Sequence, residues 1–460
     1  MNCNPCSGGT DINIIGGSGA NGASFSFDSF NRAIIDLPTT IYATQVGINE
    51  QYLLQDFRST GTGSVFVDIS NSVAELTVAH TAGRAVRQSR QYLLYLPGKS
   101  QIVHFTMTPH YNGTFDNNVA VRGGLFDDYR DKNTSGSTPS GNPLGKEVNQ
   151  KSMGHFFELS GNQWFVVERT NSSDNSTNVT RVPQSQWNID TVNGNITTSK
   201  SGFILPTNPT SAFLFTIDRQ WLGVGIVRMG LFYNAKLIYV HAFQNRTIGI
   251  PYTHLSCLPL RWEIERTSTT TAVASTTMAS ICGAGFVGGQ YTSFGNVFSI
   301  PINIIAADIP VDQTLRPILM IRLQQRYCRA TLKLKSIELI NTNTNNADAG
   351  FEITINPIIV GPSFTWTKHP DSRSIVEYKY FTEPIVSGHS VVDGHVTQSG
   401  YFSARQGFQT DLSIEELITA PSICSDIYGN ADVLCIGIIA LKSSGGNLAV
   451  RANLRWLEIY

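Results

Sequence analysis

Four acidic residues beside predicted strands are the first candidates for chemistry in this sequence. Asp127 and Asp128 are adjacent, and Glu158 and Glu168 flank a predicted turn. Two carboxyl groups that share a site can hydrolyse a glycosidic bond, one as acid and the other as nucleophile or base. Adjacent strand residues point to opposite faces, so Asp127 and Asp128 cannot act on the same bond. The sequence therefore favours solvated carboxylates, and it predicts no catalytic residue.

Two groups of residues have the spacing of metal ligands. His389, Asp393 and His395 could converge on a metal, but neighbouring glycines favour a turn. Cys3 and Cys6 have zinc-ligand spacing, yet no second pair of cysteine or histidine residues lies close by. We therefore predict that the protein holds no metal.

Two glycine-rich segments match the dinucleotide-binding pattern G-x-G-x-x-G, at residues 17–22 and 283–288. In that pattern the glycines lead into a helix whose N-terminus holds the pyrophosphate. Neither segment is followed by a helical pattern, and the sequence has no Walker A loop and no Gly-x-Ser-x-Gly elbow. The sequence therefore predicts no cofactor and no enzymatic activity.

One tryptophan stands in a polar stretch. Trp187 lies next to Asn188 and close to Asp190, whereas Trp164 falls inside an apolar strand pattern. An aromatic ring with amide and carboxylate neighbours can bind a sugar, so Trp187, Asn188 and Asp190 are the candidate glycan contacts. Packing of Trp187 in the core is the alternative that the sequence leaves open.

The elements that must position these residues are strands. Apolar and polar residues alternate in many segments, such as residues 103–108, and two hairpins are predicted at 155–168 and 226–241. A change of phase at Ser336 indicates a β-bulge. The helical candidates are short, at residues 274–281 and 413–418. The pattern predicts an all-β protein with antiparallel sheets.

Composition excludes several classes of protein. Charged residues make up 15% of the chain and the net charge is −1, so no strong field attracts nucleic acid or an anionic membrane. The longest apolar runs, such as residues 433–441, are far shorter than a membrane span. The N-terminus lacks the pattern of a secretory signal, so we expect synthesis in a cytoplasm. We predict neither nucleic acid nor membrane as a partner.

Two similar strands suggest how the chain divides. Leu260–Ile264 and Leu454–Ile459 each carry a tryptophan on an amphipathic strand, and a polar run separates the two regions. We expect an extended arm at residues 1–39, a β-sandwich domain at 40–290 and a second at 291–460. Both sandwiches are expected to be of jelly-roll or lectin-like type.

The glycine-rich arm is expected to drive assembly. Fixing its first 22 or so residues would cost about 1–2 kcal/mol each in backbone entropy. Its apolar anchors return only about 1.5–3 kcal/mol apiece, so strand pairing with a neighbour must contribute. We expect a homo-oligomer, with a trimer favoured. The anchors are Ile12, Ile14, Ile15, Phe25 and Phe27.

Six motifs follow one another in a fixed order: Phe115–Asp127, Gly154–Trp164, Val182–Asn188, Ile217–Gly225, Tyr239–His241 and Leu258–Ile264. This series resembles a family of virion structural proteins from tailed phages of aquatic bacteria, with similar segments in large DNA viruses. The likeness is good over about residues 100–290 and looser over 315–460.

The resemblance implies a virion location but no catalytic or binding residue. We expect a non-enzymatic component, capsid-associated or of head or tail fibre type, with other virion proteins as partners. Contact with a host cell-surface glycan is compatible with that role. The alternative is a β-sandwich protein that binds or degrades polysaccharide, and release of new reducing ends from a polysaccharide would identify an enzyme.

Overall fold

The computed structural model describes most of the chain after residue 37. It covers residues 38–47, 51–113, 116–128, 152–171, 177–195, 197–245, 249–253, 255–268, 274–289, 295–302, 305–342, 347–382, 388–403, 408–411, 422–443 and 446–459. Of the described residues, 62% lie in strands and 2% in helices, which confirms the all-β prediction. The five predicted anchors in the arm and the helical candidate at 413–418 lie outside the described residues, so assembly through the arm stays a prediction.

Thirteen strands form the first sheet. They are β1 (Thr39–Gln45), β2 (Gln55–Asp68), β3 (Val73–Ser89), β4 (Gln101–Gly113), β5 (Val119–Asp127), β6 (Met153–Ser160), β7 (Gln163–Asn171), β8 (Thr177–Pro183), β9 (Phe213–Arg219), β10 (Ile226–Tyr233), β11 (Lys236–Gln244), β12 (Leu260–Arg266) and β13 (Thr276–Val287). All pairings are antiparallel, in the order β11-β10-β9-β4-β13-β3-β12-β5-β6-β7-β8, with β1 beside β13 and β2 beside β3.

The long strand β3 turns this sheet into two layers. Residues 74–78 of β3 pair with β13, whereas residues 83–88 pair with β12. Glycines permit the bend, because a Cβ on Gly63 would lie 2.0 Å from the carbonyl oxygen of Arg84. Gly61, in the paired strand β2, has a φ of +59°, a conformation that glycine adopts at little cost. We call the layer from β11 to β13 layer A and the layer from β12 to β8 layer B.

The two layers face each other across a common core. The ring of Phe157 on β6 lies 4.7 Å from that of Phe215 on β9, and Phe105 on β4 contacts the indole of Trp262 on β12. Each of these side chains alternates with a polar neighbour along its strand, as burial of one face requires. This pair of layers is the first sandwich.

Fourteen further strands follow. They are β14 (Asn296–Ser299), β15 (Ala307–Ile309), β16 (Arg316–Leu323), β17 (Thr331–Asn341), β18 (Ala347–Ile355), β19 (Ile358–Val360), β20 (Thr367–Lys368), β21 (Val376–Tyr380), β22 (Ser390–Val392), β23 (His395–Ser403), β24 (Phe408–Asp411), β25 (Ser422–Ile423), β26 (Val433–Ser443) and β27 (Leu448–Ile459). One sheet has the order β14-β27-β17-β24, with β15 beside β27 and β25 beside β17; another has β20-β21-β16-β26-β18-β23; β19 pairs with β22.

These later sheets enclose a second hydrophobic core. Leu332 and Trp456 from the sheet of β17 and β27 pack in one buried cluster with Ile321, Phe351 and Ile436 from the other large sheet. The division of the chain into two domains at residue 290 stays a prediction, because β27 also contributes Leu457 and Ile459 to the core of the first sandwich.

Most local predictions agree with the structure. The hairpins predicted at 155–168 and 226–241 are β6–β7 and β10–β11, and β17 has its bulge between Leu334 and Ser336. The helical candidate at 274–281 is wrong. That segment belongs to β13, where its backbone pairs with β3 on one side and β4 on the other. Sheet pairing outweighs the weak helical propensity there.

Buried ion pairs join the first sandwich to the later sheets. The Nε of Arg329 lies 2.6 Å from the Oδ2 of Asp127, and both side chains are buried. Arg90, which follows β3, likewise pairs with Asp432, which precedes β26. A buried charge that loses its partner is costly, so these pairs hold the two parts in one arrangement.

Replacing Arg329 by alanine is expected to lower the free energy of unfolding by about 3–5 kcal/mol, because the buried carboxylate of Asp127 loses the guanidinium group that pairs with it. Urea denaturation followed by tryptophan fluorescence measures the change. Arg373→Ala is the matched control, since Arg373 is 81% exposed in its pair with Asp371 and should change stability by about 0.5 kcal/mol. Equal effects of the two substitutions would contradict a linking role for Arg329.

Candidate functional site

Charged side chains cover the outer surface of layer B. In β12, Trp262 and Ile264 point into the core, while Arg261, Glu263 and Glu265 alternate with them and point outward. The register then places Arg122 of β5 opposite Glu263. We call this cluster the charged face; it consists of Arg84, Arg122, Arg169, Arg181, Arg261, Asp128, Glu158, Glu263 and Glu265.

Glu263 is the centre of the charged face. Its carboxylate accepts hydrogen bonds from Arg84 at 2.9 Å, from Arg122 at 2.5 Å and from Arg261 at 2.5 Å. The side chain of Glu263 has no exposed surface. Three guanidinium groups therefore enclose one buried carboxylate.

The network continues across layer B through Arg122. This guanidinium also donates to Glu158 and to Glu265, each at 2.6 Å. Glu158 accepts a further hydrogen bond from Arg181, at 2.6 Å. Arg122 thus pairs with carboxylates of β12 and β6, and Arg181 joins β8 to the same network, which ties β12, β5, β6 and β8 together on their outer side.

Aromatic rings support the guanidinium groups. Arg169 lies over the ring of Phe156 at 4.8 Å, and Arg181 lies over Phe165 at 3.2 Å. Phe126, Phe156 and Phe165 belong to a small buried cluster of their own, separate from the sandwich core. The rings attract the cations and also cover their apolar faces, so they fix the arginines against the sheet.

This arrangement keeps the carboxylates ionised. Burial alone would raise the pKa of Glu263, but Arg84, Arg261 and Arg122 outweigh it and hold the pKa well below its usual value. At Glu158, burial raises the pKa whereas Arg122 and Arg181 lower it, and the net shift of the pKa is again downward. A general acid needs a raised pKa. Neither glutamate can hold a catalytic proton near neutral pH.

The four acidic residues considered from the sequence have separate surroundings. Asp127 pairs with Arg329 and Asp128 with Arg84, so the two adjacent acids diverge as predicted. Glu158 belongs to the charged face. Glu168 accepts hydrogen bonds from His155 and Asn245 on the core side of β7. The structure does not bring these acids into one catalytic pair.

The polar stretch around Trp187 has a packing role. The indole of Trp187 is 4% exposed, contacts Phe157 and donates to the carbonyl oxygen of Val182 at 3.2 Å. Asp190 is also buried, and its carboxylate accepts from the backbone N–H groups of Val192 and Ser201. Glycan contact at Trp187, Asn188 and Asp190 stays a prediction. The indole of Trp187 is buried and has no exposed ring face on which a sugar could stack.

Asn188 is exposed and completes the edge of layer A. Its side chain donates to the carbonyl oxygen of Ala242 and accepts from the N–H of the same residue, both at 2.9 Å. Its backbone N–H donates to the Nδ1 of His241. The amide thus replaces a neighbouring strand at the edge of β11, where unpaired backbone groups would otherwise attract another chain.

The two histidines considered as metal ligands have different partners. The Nε2 of His389 hydrogen-bonds the carbonyl oxygen of Pro362 at 2.7 Å, and the Nδ1 of His395 bonds the hydroxyl of Tyr52 at 2.8 Å. Asp393, with a φ of +59°, bonds the N–H of Gly394 in a turn. Within the described residues, no group of three or more metal-ligating side chains comes together.

The outer surface of layer A carries a depression of about 460 Å³ between β1, β4 and β13. The register aligns Ala43, Ala284 and His104 in one row across these three strands. The lining consists of Ala43, Thr44, Gln45, Gln51, His104, Phe105, Leu214, Cys282, Gly283 and Ala284. Small side chains in the row leave the sheet open at this point, so a ligand can reach its surface.

Polar groups surround this depression. The Oε1 of Gln51 accepts from the hydroxyl of Thr44 at 3.0 Å and from the N–H of Gln45 at 3.2 Å, which fixes the end of β1. The ring of His104 packs against Phe232 and Phe286, and burial lowers its pKa. Alternation along β4 predicted that His104 points away from the core, but no sequence pattern indicated a depression there.

No protein-family model and no curated protein matches the chain. Among solved structures, it is similar to an endo-1,3-beta-glucanase from Streptomyces sioyaensis, at 8% identity and a TM-score of 0.32, over 55% of this chain and 97% of that one. It is similar to the carbohydrate recognition domain of Emp47p at 10% identity and a TM-score of 0.29, with coverages of 55% and 97%. It is also similar to the exoplasmic/lumenal domain of VIP36, at 11% identity and a TM-score of 0.29, over 56% of this chain and 93% of that one. Likenesses this partial carry no information on activity or ligand.

No helix among the described residues has the length and apolar character to cross a membrane.

The charged face predicts how stability depends on pH. The folded pKa of Glu158 is below the 4.5 of an unperturbed glutamate, so its contribution is complete above pH 4.5 and is lost as the pH falls through the folded pKa. Glu158→Gln is expected to lower the free energy of unfolding by about 3 kcal/mol at pH 7, and by progressively less below pH 4.5.

Urea midpoints measured between pH 7 and pH 3 test this dependence. Glu338→Gln is the control, because Glu338 is half-buried on β17 and has no arginine partner among the described residues. Its effect should be small throughout the range. A difference between wild type and Glu158→Gln that stays constant down to pH 3 would show that the carboxylate charge is not what stabilises the charged face.

Proposed function

We propose that this chain is a non-enzymatic structural component of a virion, capsid-associated or of fibre type, that contacts host-surface glycan. The observation that carries the non-enzymatic part is the enclosure of Glu263 by three guanidinium groups. Carboxylates held ionised in this way stabilise a sheet, whereas acid catalysis requires a carboxyl group that can give up a proton.

The position of the motifs that resemble the virion family supports the virion part of the proposal. These motifs coincide with β5, the β6–β7 hairpin, the end of β8, β9 and β12. Of their four tryptophans, Trp164, Trp187 and Trp262 lie in the core of the first sandwich, and Trp221 packs against it. The shared pattern is therefore a scaffold, which is what a family of structural proteins would have in common.

Assembly is the second part of the proposal. The arm at residues 1–39 would anchor the chain to another copy or to a neighbouring virion protein, with a trimer as the favoured oligomer. Two features of the described residues support a rigid unit that could be anchored in this way: the charged face and the buried pairs Arg329–Asp127 and Arg90–Asp432.

The virion location is tested on particles from cultures in which the gene is naturally expressed. Particles are purified on a density gradient and labelled with gold-conjugated antibody against the purified protein. We expect gold at one structural position of the particle, and preimmune serum provides the control. Protein found only in the particle-free soluble fraction would contradict a virion role.

The absence of enzymatic activity is tested separately. Purified full-length protein is incubated with a panel of neutral and acidic polysaccharides, and new reducing ends are measured against a commercial glucanase. We expect no release above the buffer blank between pH 4 and pH 8, because Glu158 and Glu263 stay ionised over most of that range. Reproducible release that Glu263→Gln abolishes would identify an enzyme and overturn the proposal.

A further inference from the structure

Among the described residues, the lining of the depression on layer A has no carboxylate, ammonium or guanidinium group. The one ionisable ring in this lining is that of His104. Burial lowers its pKa from the ordinary histidine value of 6.5, so the ring is largely neutral at pH 7. A charged ligand would lose its water here without meeting an opposite charge. The lining therefore favours an uncharged ligand.

The floor of the depression is apolar. The methyl groups of Ala43 and Ala284 lie side by side in register, and Leu214 completes this part of the lining. The register between β13 and β4 shifts between Ser280 and Gly283, so the sheet is irregular at the same place. Such a floor suits the flat apolar face of a ring.

Hydrogen-bonding groups stand beside this floor. Gln51 uses its Oε1 to hold Thr44 and Gln45, and among the described residues its amide nitrogen has no partner. The depression thus presents an amide donor beside an apolar surface.

We propose that this depression binds one or two units of an uncharged saccharide. A sugar ring offers an apolar face of C–H groups to Ala43 and Ala284, and its hydroxyl oxygens can accept from the amide nitrogen of Gln51. The volume of about 460 Å³ lies in the range of small-ligand sites. This inference rests on the proposed contact with glycan, and it names the site and the chemical class of the ligand.

The opposite surface of the same sandwich is unsuited to this ligand. On the charged face, Glu263 and Glu158 already accept two or more hydrogen bonds each from arginines. A sugar hydroxyl would have to displace a guanidinium from a buried carboxylate, which is costly. Layer A is therefore the glycan-binding side of the sandwich.

The test uses a glycan array followed by titration of the best ligand against full-length protein. Ala284→Trp fills the depression, and Gln51→Ala removes the amide donor. Gln163→Trp places the same large ring on exposed surface of layer B and is the matched control. Circular dichroism and thermal unfolding establish that each variant is folded, and Ala43→Leu replaces Ala284→Trp if the latter does not fold.

We expect the wild-type protein to bind uncharged glycans. The affinity should fall about tenfold or more in Ala284→Trp and about fivefold in Gln51→Ala, while Gln163→Trp binds like wild type. Unchanged affinity in the filled variants would overturn the site. Binding confined to sialylated or sulfated glycans would overturn the ligand class. If no glycan binds, this inference fails, whereas gold labelling of particles would still support the virion role on its own.

Discussion

The need to neutralise charge inside a sheet is the constraint on which the first sandwich depends. β12 lies between β3 and β5, so one face of it packs Trp262 into the core while the other carries Glu263. That carboxylate is tolerated because Arg84, Arg122 and Arg261 surround it and aromatic rings hold other arginines in place. The same rule governs the contact with the later sheets, where Arg329 and Arg90 each meet a buried aspartate. Removal of one partner leaves buried charge that is less well compensated.

The two outer surfaces of the sandwich consequently differ in what they can do. On layer B the carboxylates of Glu158 and Glu263 already accept two or more hydrogen bonds each from arginines, so they are closed to a ligand. On layer A the row of Ala43, Ala284 and His104 leaves the sheet accessible, and the amide nitrogen of Gln51 has no partner among the described residues. A surface with few charges and an unused hydrogen-bond donor is better suited to reversible binding than a network of buried ion pairs.

Strand periodicity explains how much of this could be predicted from the sequence. Alternation along β4 and β12 and the turn residues between β6 and β7 gave the fold class, the hairpins and the direction of His104. The partners of outward charges could not be predicted, because Arg84, Arg122 and Glu263 come from strands far apart in sequence whose order depends on the whole sheet. The alternation Arg261, Glu263, Glu265 was the available signal for the charged face, and it was interpreted only as an amphipathic strand. Trp187 shows the converse limit: its neighbours in sequence are polar, but its neighbours in space include Phe157.

The passage of β3 from one layer to the other has a mechanical consequence. A pulling force applied to layer A reaches layer B along the covalent backbone of β3, and it does not have to cross the side-chain core. The hydrogen bonds of residues 74–78 and 83–88 are then loaded in shear along the strand, many at once, instead of being opened one after another. A sandwich connected in this way resists being pulled apart between its layers, which suits a component that transmits load in a larger assembly.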